Sequence, residues 1–347
     1  MDVRDPEREV KEHLKFCKDI GIMGRIYIGS EWISATLSCN EWQLMAYKLY
    51  LAQHPLFNNP PDLDIKSTPV DGHKFPKMTV KVRDEIVSLW KKYTKEEIEK
   101  AGNRMTVEDF KKLIESGKTE DYIILDMRNN HEYQLWHFKW AIPADTMNFK
   151  ELQEKINEYQ KEFKNKKIIS YCTGGIRCEK STVMLQNAGL KNTYQLDGGV
   201  VKYINSYDDG NWIGSLYVFD DRVSCVVWSK AMHTTIGQCC YSGKKTDTCE
   251  NCRYSPCNAR LIATHKEYKK HFWFCSEECA RKAEVDCLIK EVDFDPMQYK
   301  ELRGKIKAHP EKKDEITKKI QDHIKAGLQW VKFNHLKSQK EENVVMD

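Results

Sequence analysis

The stretch that most constrains this chain runs from an apolar strand through a glycine turn into a helix. Ile168 to Tyr171 is an apolar run, which predicts a buried strand. The strand ends at Cys172, two glycines follow, and an amphipathic helix then extends to Gly189. Such a turn forms a pocket for an anion, because backbone N–H groups converge there and the helix N-terminus adds partial positive charge.

Cys172 is the candidate nucleophile of this pocket. The backbone N–H groups that would line it are those of Thr173, Gly174, Gly175 and Ile176. Arg177 adds a positive charge that cannot be removed, so the thiol should ionise well below its ordinary pKa of about 8.5. Cys172 could instead be a small buried apolar residue, but glycines and an arginine have no use in a core. Cys178 is either a second, resolving thiol or a packing residue.

Residues 104–213 alternate strands and helices in the pattern of a parallel-sheet α/β domain. The other predicted elements are helices Val107–Glu115, Glu132–Trp136 and Phe149–Phe163 and strands Tyr122–Met127 and Thr193–Leu196. Ligands of such domains bind at the carboxyl ends of the strands, where Cys172 lies. Asp126 and Arg128 are interpreted as structural partners at a strand end, and His137 as a packed histidine.

Residues 1–92 form the first predicted domain. Its predicted elements are helices Pro6–Ile20 and Asn40–Ala52 and strands Gly24–Ile28, Trp32–Leu37 and Met78–Val82. Helices and strands alternating over so short a length indicate an α+β sandwich, ferredoxin-like in layout. The second helix carries Trp42, Met45 and Leu49 on one face. A charged connector, residues 93–103, follows and is interpreted as the hinge between domains.

Two charged surfaces are candidates for partner binding. The first is a basic face of the first domain, formed by Lys74, Lys77, Lys81 and Arg83. It is either a solvated surface or a set of phosphate contacts. The second is an amphipathic helix at residues 311–337, within the charged tail 291–347, which is interpreted as a docking element.

Residues 214–290 are rich in cysteine, and nine of the 13 cysteines follow residue 220. Paired thiolates at short spacing converge tetrahedrally on zinc. The plausible ligand set is Cys252, Cys257, Cys275 and Cys279. Cys249 could replace one member. The alternatives to one zinc ion are two zinc ions and free thiols without metal. His265 and His271 are interpreted as exposed loop residues rather than ligands.

Charge and hydropathy exclude several classes of protein. The net charge of +4 permits nucleic-acid binding without requiring it, and no apolar run is long enough for a membrane span. The charged N-terminus lacks the apolar core of a signal peptide, so the cysteines are expected to be reduced thiols in the cytoplasm. No flavin or nicotinamide fingerprint and no two-histidine, one-carboxylate iron set stands out.

The segment Tyr171-CTGGIRCEKS-Thr182, followed by YQLDGGVVKYI, resembles the rhodanese-containing tRNA uridine(34) hydroxylases. The blocks DPEREVKEHLKFCKDIGIMGRIYIGSEWISAT, HKFPKMTVKVRDEIV and LDMRNNHEYQLWHFKWAI are similar to that family as well. The resemblance implies a central rhodanese domain and conversion of the wobble uridine to 5-hydroxyuridine with dioxygen as co-substrate. It also implies the tRNA anticodon arm as partner, Cys172 as catalytic cysteine and Cys178 as the second thiol of the motif.

Two functions are in competition on these observations. One is the tRNA hydroxylase, in which the first domain holds the tRNA and Cys172 reacts with the uridine or with dioxygen. The other is a rhodanese-type sulfurtransferase, in which Cys172 carries a sulfane sulfur. Only four residues separate Cys172 from Arg177, a loop length that suits a sulfur atom and argues against a related phosphatase. The N-terminal block favours the hydroxylase, since a persulfide carrier does not need it.

Overall fold

A computed structural model describes residues 3–30, 32–56, 65–67, 70–89, 91, 93–100, 103–118, 120–208, 211–214, 216–217, 224–225, 234–254, 256–257, 259–289 and 293–299. The chain divides into two compact units, residues 1–236 and 237–347. The helix expected at 311–337 lies outside the described residues. Within them, no helix combines the length and apolar character needed to cross a bilayer.

The first unit begins with a small α+β domain. Its elements are α1 (Pro6–Asp19), β1 (Met23–Ile28), β2 (Ile33–Ser38), α2 (Glu41–Gln53) and β3 (Met78–Val82). The strands form a mixed sheet in the order β2-β1-β3, with β2 antiparallel and β3 parallel to β1. Each helix begins at a side-chain cap, Asp5 for α1 and Asn40 for α2. Val3 donates a backbone hydrogen bond to Ser30 at the end of β1.

Helix α2 presents an unexpected face to solvent. Trp42, Met45 and Leu49 share one face, as the sequence indicates, but each is more than half exposed. The residues that α2 buries are Gln43, Tyr47 and Leu51. Burial is set here by the contact with α1 rather than by hydrophobicity, because Tyr50 stacks on Phe16 of α1 with ring centroids 4.1 Å apart.

The second domain of this unit follows directly. Its elements are α3 (Lys95–Lys100), β4 (Arg104–Met105), α4 (Val107–Glu115), β5 (Tyr122–Asp126), α5 (Asn130–Leu135), β6 (Trp136–Phe138), β7 (Ala141–Pro143), a 3₁₀ turn (Phe149–Glu151), α6 (Leu152–Glu162), β8 (Lys167–Tyr171), α7 (Ile176–Asn187), β9 (Thr193–Leu196), α8 (Gly199–Ser206), β10 (Trp212–Gly214), β11 (Leu216–Tyr217) and β12 (Ser224–Cys225). Five strands pair in parallel in the order β4-β9-β8-β5-β7, so the predicted parallel-sheet α/β fold is confirmed.

The connector between these two domains is packed rather than extended. It contains α3, and Tyr93 is buried together with Val87 and Leu89 in the core of the second domain. Gln153 of α6 also donates a hydrogen bond to the carbonyl of Leu89. The two domains therefore form one compact unit across this segment.

The second unit holds a short hairpin and two helices. These elements are β13 (Cys249–Asn251), β14 (Arg260–Ile262), α9 (His265–Lys270) and α10 (Glu277–Ile289). A core of Phe274, Ala280, Ala283 and Tyr299 packs beside Cys252 and Cys279. Such a core is small for an independent unit, which is typical of a fold that needs a metal or another crosslink.

Candidate active site

The cysteine loop, residues 172–177, connects β8 to α7 at the carboxyl edge of the parallel sheet. Gly175 has a φ of 95°, a left-handed conformation that suits glycine, and it directs its N–H at the sulfur of Cys172, 3.1 Å away. The N–H groups of Arg177 and Cys178 also bond to this sulfur. Of the four amides expected to line the pocket, that of Gly175 donates to the sulfur, and the amides of Arg177 and Cys178, the second and third residues of α7, also donate to it.

The cysteine loop is fixed by hydrogen bonds from the first turn of helix α8. The carbonyls of Cys172 and Thr173 accept hydrogen bonds of 3.0 Å from the N–H groups of Val200 and Val201 at the start of α8. Gly199 makes this approach possible: its φ is 63°, and a Cβ there would lie 2.5 Å from the carbonyl oxygen of Cys172. The Gly198-Gly199 turn is therefore part of the site.

The electrostatics of the loop favour a thiolate. Burial alone would raise the pKa of Cys172, but a hydrogen bond from the Cys178 thiol, the charge of Arg177 and the loop amides lower it to about 6. The pKa of Cys178 is raised well above its ordinary value by burial and by the neighbouring sulfur. Cys172 is thus the thiolate and Cys178 a protonated donor beside it. Both are buried, and Cys172 is only 1% exposed.

Glu132, at the start of α5, positions Arg177 and was not identified from the sequence. Its two oxygens accept hydrogen bonds of 2.8 and 3.3 Å from the guanidinium, and it is buried. Burial opposes its ionisation, yet the charges of Arg177 and Arg128 lower its pKa. The signal in the sequence is its place three residues after Asn129, where it completes a capping box.

Asp126 and Arg128 lie where the sequence places them, as a fully buried ion pair with an N–O distance of 2.6 Å. Tyr171, which precedes Cys172, donates a 2.8 Å hydrogen bond to Asp126. Arg128 donates to the carbonyl of Trp136. The pair therefore fixes the ends of β5 and β8, and its structural role is confirmed. His137 stacks on Tyr133 with centroids 4.1 Å apart, as expected of a packed histidine.

The first domain reaches the loop through a residue that the sequence did not single out. Lys66 donates a hydrogen bond to the carbonyl of Gly174, with an N–O distance of 3.4 Å, and Asn205 of α8 donates to the carbonyl of Ser67. An ammonium group therefore lies at the rim of the thiolate pocket. No local pattern in the sequence marks Lys66.

The basic face lies on β3 and its flanks. Lys77, Lys81 and Arg83 are exposed, and Lys74 is half-buried. Met78 and Val80 point into the core, so the alternation of the strand turns the basic side chains to solvent. Arg83 lies over the ring of Tyr27, 4.9 Å from its centroid.

The four-cysteine cluster of the second unit brings together Cys252, Cys257, Cys275 and Cys279, whose sulfurs all lie within 4.8 Å of one another. The sulfurs of Cys257 and Cys275 are 3.6 Å apart and those of Cys275 and Cys279 are 3.3 Å apart. Four sulfurs on a zinc ion at about 2.3 Å would be separated by about 3.8 Å, so this donor set fits zinc. Cys249 is not in the cluster. His271 is not a ligand in it either, but the expectation that it is exposed was wrong, because its ring stacks on Tyr241 and it is only 2% exposed.

Three protein-family models match successive parts of this chain. Residues 106–206 match the family model of a rhodanese-like domain, residues 1–86 that of a UPF0176 acylphosphatase like domain, and residues 213–280 that of a rhodanase C-terminal region. The chain is 35% identical over 303 residues to a tRNA uridine(34) hydroxylase of Bacillus pumilus, covering 87% of this chain and 92% of that protein. Proteins of the same name from Bacillus velezensis (36% identity, 85% and 89% coverage) and Oceanobacillus iheyensis (34%, 87% and 91%) are similar to it.

Proposed function

The chain belongs to the tRNA uridine(34) hydroxylase family, and we propose that it hydroxylates C5 of the wobble uridine of tRNA with Cys172 as the reacting group. The observation that carries this proposal is a cysteine whose pKa is lowered to about 6 at the base of an amide-lined pocket, in a chain that also has the family's N-terminal domain. With tRNA as substrate, the enzyme acts in the cytoplasm.

The overall reaction needs dioxygen and two electrons. One oxygen atom replaces hydrogen at C5 as a hydroxyl group, and the other leaves as water after taking two protons and two electrons from two thiols, which become a disulfide. Cys172 and Cys178 are hydrogen-bonded to each other and form a suitable dithiol, to be regenerated by an external thiol.

Two roles for the Cys172 thiolate fit this balance. It could add to C6 of the uracil ring, which makes C5 electron-rich, or it could react first with dioxygen and pass on an oxygen atom. Because the residue is 1% exposed, the first role requires the loop rim to open for the base, whereas dioxygen is small enough for the closed site. tRNA carrying 5-fluorouridine at position 34 distinguishes them: a covalent adduct on Cys172 supports addition to C6, and its absence with a sulfenic acid formed in air supports the second role.

The tRNA itself would be held by the first domain. Lys77, Lys81 and Arg83 offer exposed cations along one strand for the phosphates of the anticodon arm. A wobble base is unpaired and can be extended out of its stack into a pocket. Lys66 would then contact the phosphate or the uracil carbonyl nearest to the thiolate. Zinc in the four-cysteine cluster would be structural, since all four positions are filled by protein sulfurs.

The test is the nucleoside profile of tRNA in a host that lacks its own hydroxylase. We expect the wild-type chain to restore 5-hydroxyuridine, measured by mass spectrometry, and Cys172→Ser to restore none. Cys39→Ser, a change at a half-buried cysteine of the first domain, is the matched control and should restore it fully. A profile unchanged by the wild-type chain, together with rapid thiosulfate:cyanide sulfur transfer, would instead establish a sulfurtransferase.

A further inference from the structure

A second cluster of ligating side chains lies in the first domain and takes no part in the cysteine chemistry. Glu9 and Glu12 lie three residues apart on one face of α1, and His54 follows the last turn of α2. Nε2 of His54 is 3.2 Å from Oε2 of Glu9 and 3.6 Å from Oε2 of Glu12. All three donor atoms lie within 4.8 Å of one another.

The floor of this cluster is buried and short of hydrogen bonds. Glu9 is 8% exposed, and its Oε2 makes no hydrogen bond of good geometry, although Nε2 of His54 and Nδ1 of His13 lie 3.2 and 3.7 Å away. The rings of His13 and Tyr50 pack against that of His54, with centroids 5.6 and 5.4 Å from it. Burying a charged carboxylate in such surroundings destabilises the fold unless a cation is paired with it.

The mouth of the cluster is open, and one ligand is already oriented. Glu12 accepts a 2.7 Å hydrogen bond from Arg8 through Oε1, which leaves Oε2 directed toward His54. The side chain of Glu12 is 39% exposed, so an ion could enter from solvent. Outer hydrogen bonds that fix ligand carboxylates are a regular feature of metal sites.

We propose that Glu9, Glu12 and His54 bind one divalent transition-metal ion, with water completing its coordination. Two carboxylate oxygens and one imidazole nitrogen suit Mn²⁺, Fe²⁺ or Zn²⁺ rather than the thiolate-seeking ions that the four-cysteine cluster selects. The ion would balance two carboxylates held against neutral rings. It would also fix the start of α1 against the end of α2.

Mn²⁺ is the probe that separates this site from the four-cysteine cluster, because it prefers oxygen and nitrogen ligands. The full-length protein carrying one zinc ion per chain, which leaves the second site empty, is titrated with Mn²⁺, and bound ion is measured by the loss of the free-ion EPR signal. We expect one Mn²⁺ per chain and at least tenfold weaker binding in Glu9→Gln and His54→Gln. Glu7→Gln, the same change at an exposed position of α1, should bind as the wild type does.

Glu12→Gln supplies a second variant, since Glu12 is partly exposed and its loss should leave the fold intact. Circular dichroism checks the fold of each variant. No Mn²⁺ bound at millimolar concentration by the wild type, or equal binding by the wild type and by folded Glu12→Gln, would overturn the proposal. In that case the contacts of His54 with the two carboxylates join the helices without a metal. None of these outcomes depends on tRNA hydroxylation.

Discussion

Two groups of thiols in this chain differ in what surrounds the sulfur. Cys172 is surrounded by backbone N–H groups, a guanidinium and a single protonated thiol, and its pKa falls to about 6. The cysteines of the four-cysteine cluster are surrounded chiefly by one another. The first arrangement stabilises one negative charge without a metal, whereas the second can stabilise several thiolates only with a cation among them. The difference between a reactive thiolate at Cys172 and metal-binding thiolates in the four-cysteine cluster therefore comes from the surroundings of the sulfurs and not from the residue type.

The largest effect should come from removing the zinc proposed for the four-cysteine cluster. A structural zinc contributes roughly 10 kcal/mol or more to such a fold, so a strong chelator should unfold residues 237–299. Limited proteolysis and thermal melting check this, with zinc followed by elemental analysis. The alkylation rate of Cys172 should not change under chelator. A zinc-free protein with an unaltered melting curve would remove the contrast between the two groups of thiols.

A second test concerns the backbone on which the cysteine loop rests. Gly199→Ala should destabilise the protein by about 1–3 kcal/mol, because it adds a left-handed alanine and a Cβ 2.5 Å from the carbonyl oxygen of Cys172. Gly117→Ala is the matched control, since its φ of 64° is nearly the same and no atom lies within 4 Å of the added carbon. Thermal unfolding compares the two. Equal losses would mean that the contact with the loop carries no cost.

The third test concerns the charge beside the thiolate. Alkylation of wild-type Cys172 by iodoacetamide should rise with pH to a plateau, with its midpoint near 6, because the deprotonated form reacts. Arg177→Met removes the charge and should raise that midpoint by about one unit, which lowers the rate about fivefold at pH 6 and about tenfold at lower pH. Mass spectrometry of peptides gives the rate for each cysteine.

Arg177→Met also leaves Glu132 as a buried charge without its guanidinium, so part of its effect could be structural. The double variant Arg177→Met/Glu132→Gln separates these causes. It should recover stability while keeping the raised midpoint. If the double variant regains the wild-type midpoint, Arg177 acts through the fold and not through its charge.

The smallest effect is expected at the pocket rim. Lys66→Ala should weaken tRNA binding or turnover a few-fold, since one rim cation contributes on the order of 1 kcal/mol. Lys118→Ala, at an exposed position on a loop, is the control. Steady-state kinetics with tRNA at two salt concentrations provides the measurement. Equal effects of the two changes would limit the role of Lys66 to its contact with Gly174.

The sequence predicted the parts of the site that are local and left out those that depend on distant pairings. Cys172, Arg177 and the glycine turn occupy one short stretch, so strand, loop and helix could be placed together. Glu132 lies 45 residues before Arg177, and nothing in the sequence states that their side chains meet. Lys66 is further removed, since it comes from another domain.

The sequence pattern also did not predict which face of a helix is buried. The apolar face of α2 is exposed because the stacking of Tyr50 on Phe16 turns the opposite side of the helix inward. The two carboxylates of α1 likewise showed no metal-binding pattern, since His54 joins them only after α2 packs against α1. Hydrophobic periodicity locates a helix, but its partner decides which face is covered.

Lys180 joins helix α7 to the segment that precedes the second domain. Three residues after Arg177, its fully buried ammonium donates a 3.2 Å hydrogen bond to the carbonyl of Val87 and lies 3.8 Å from Glu85. Helix α7, which follows the cysteine loop, is thus bonded to the end of the preceding domain. A fragment cut at the domain boundary would keep the cysteine loop but lose Val87 and Glu85, two partners of this ammonium. Excised rhodanese fragments of this protein are therefore poor surrogates for the intact enzyme.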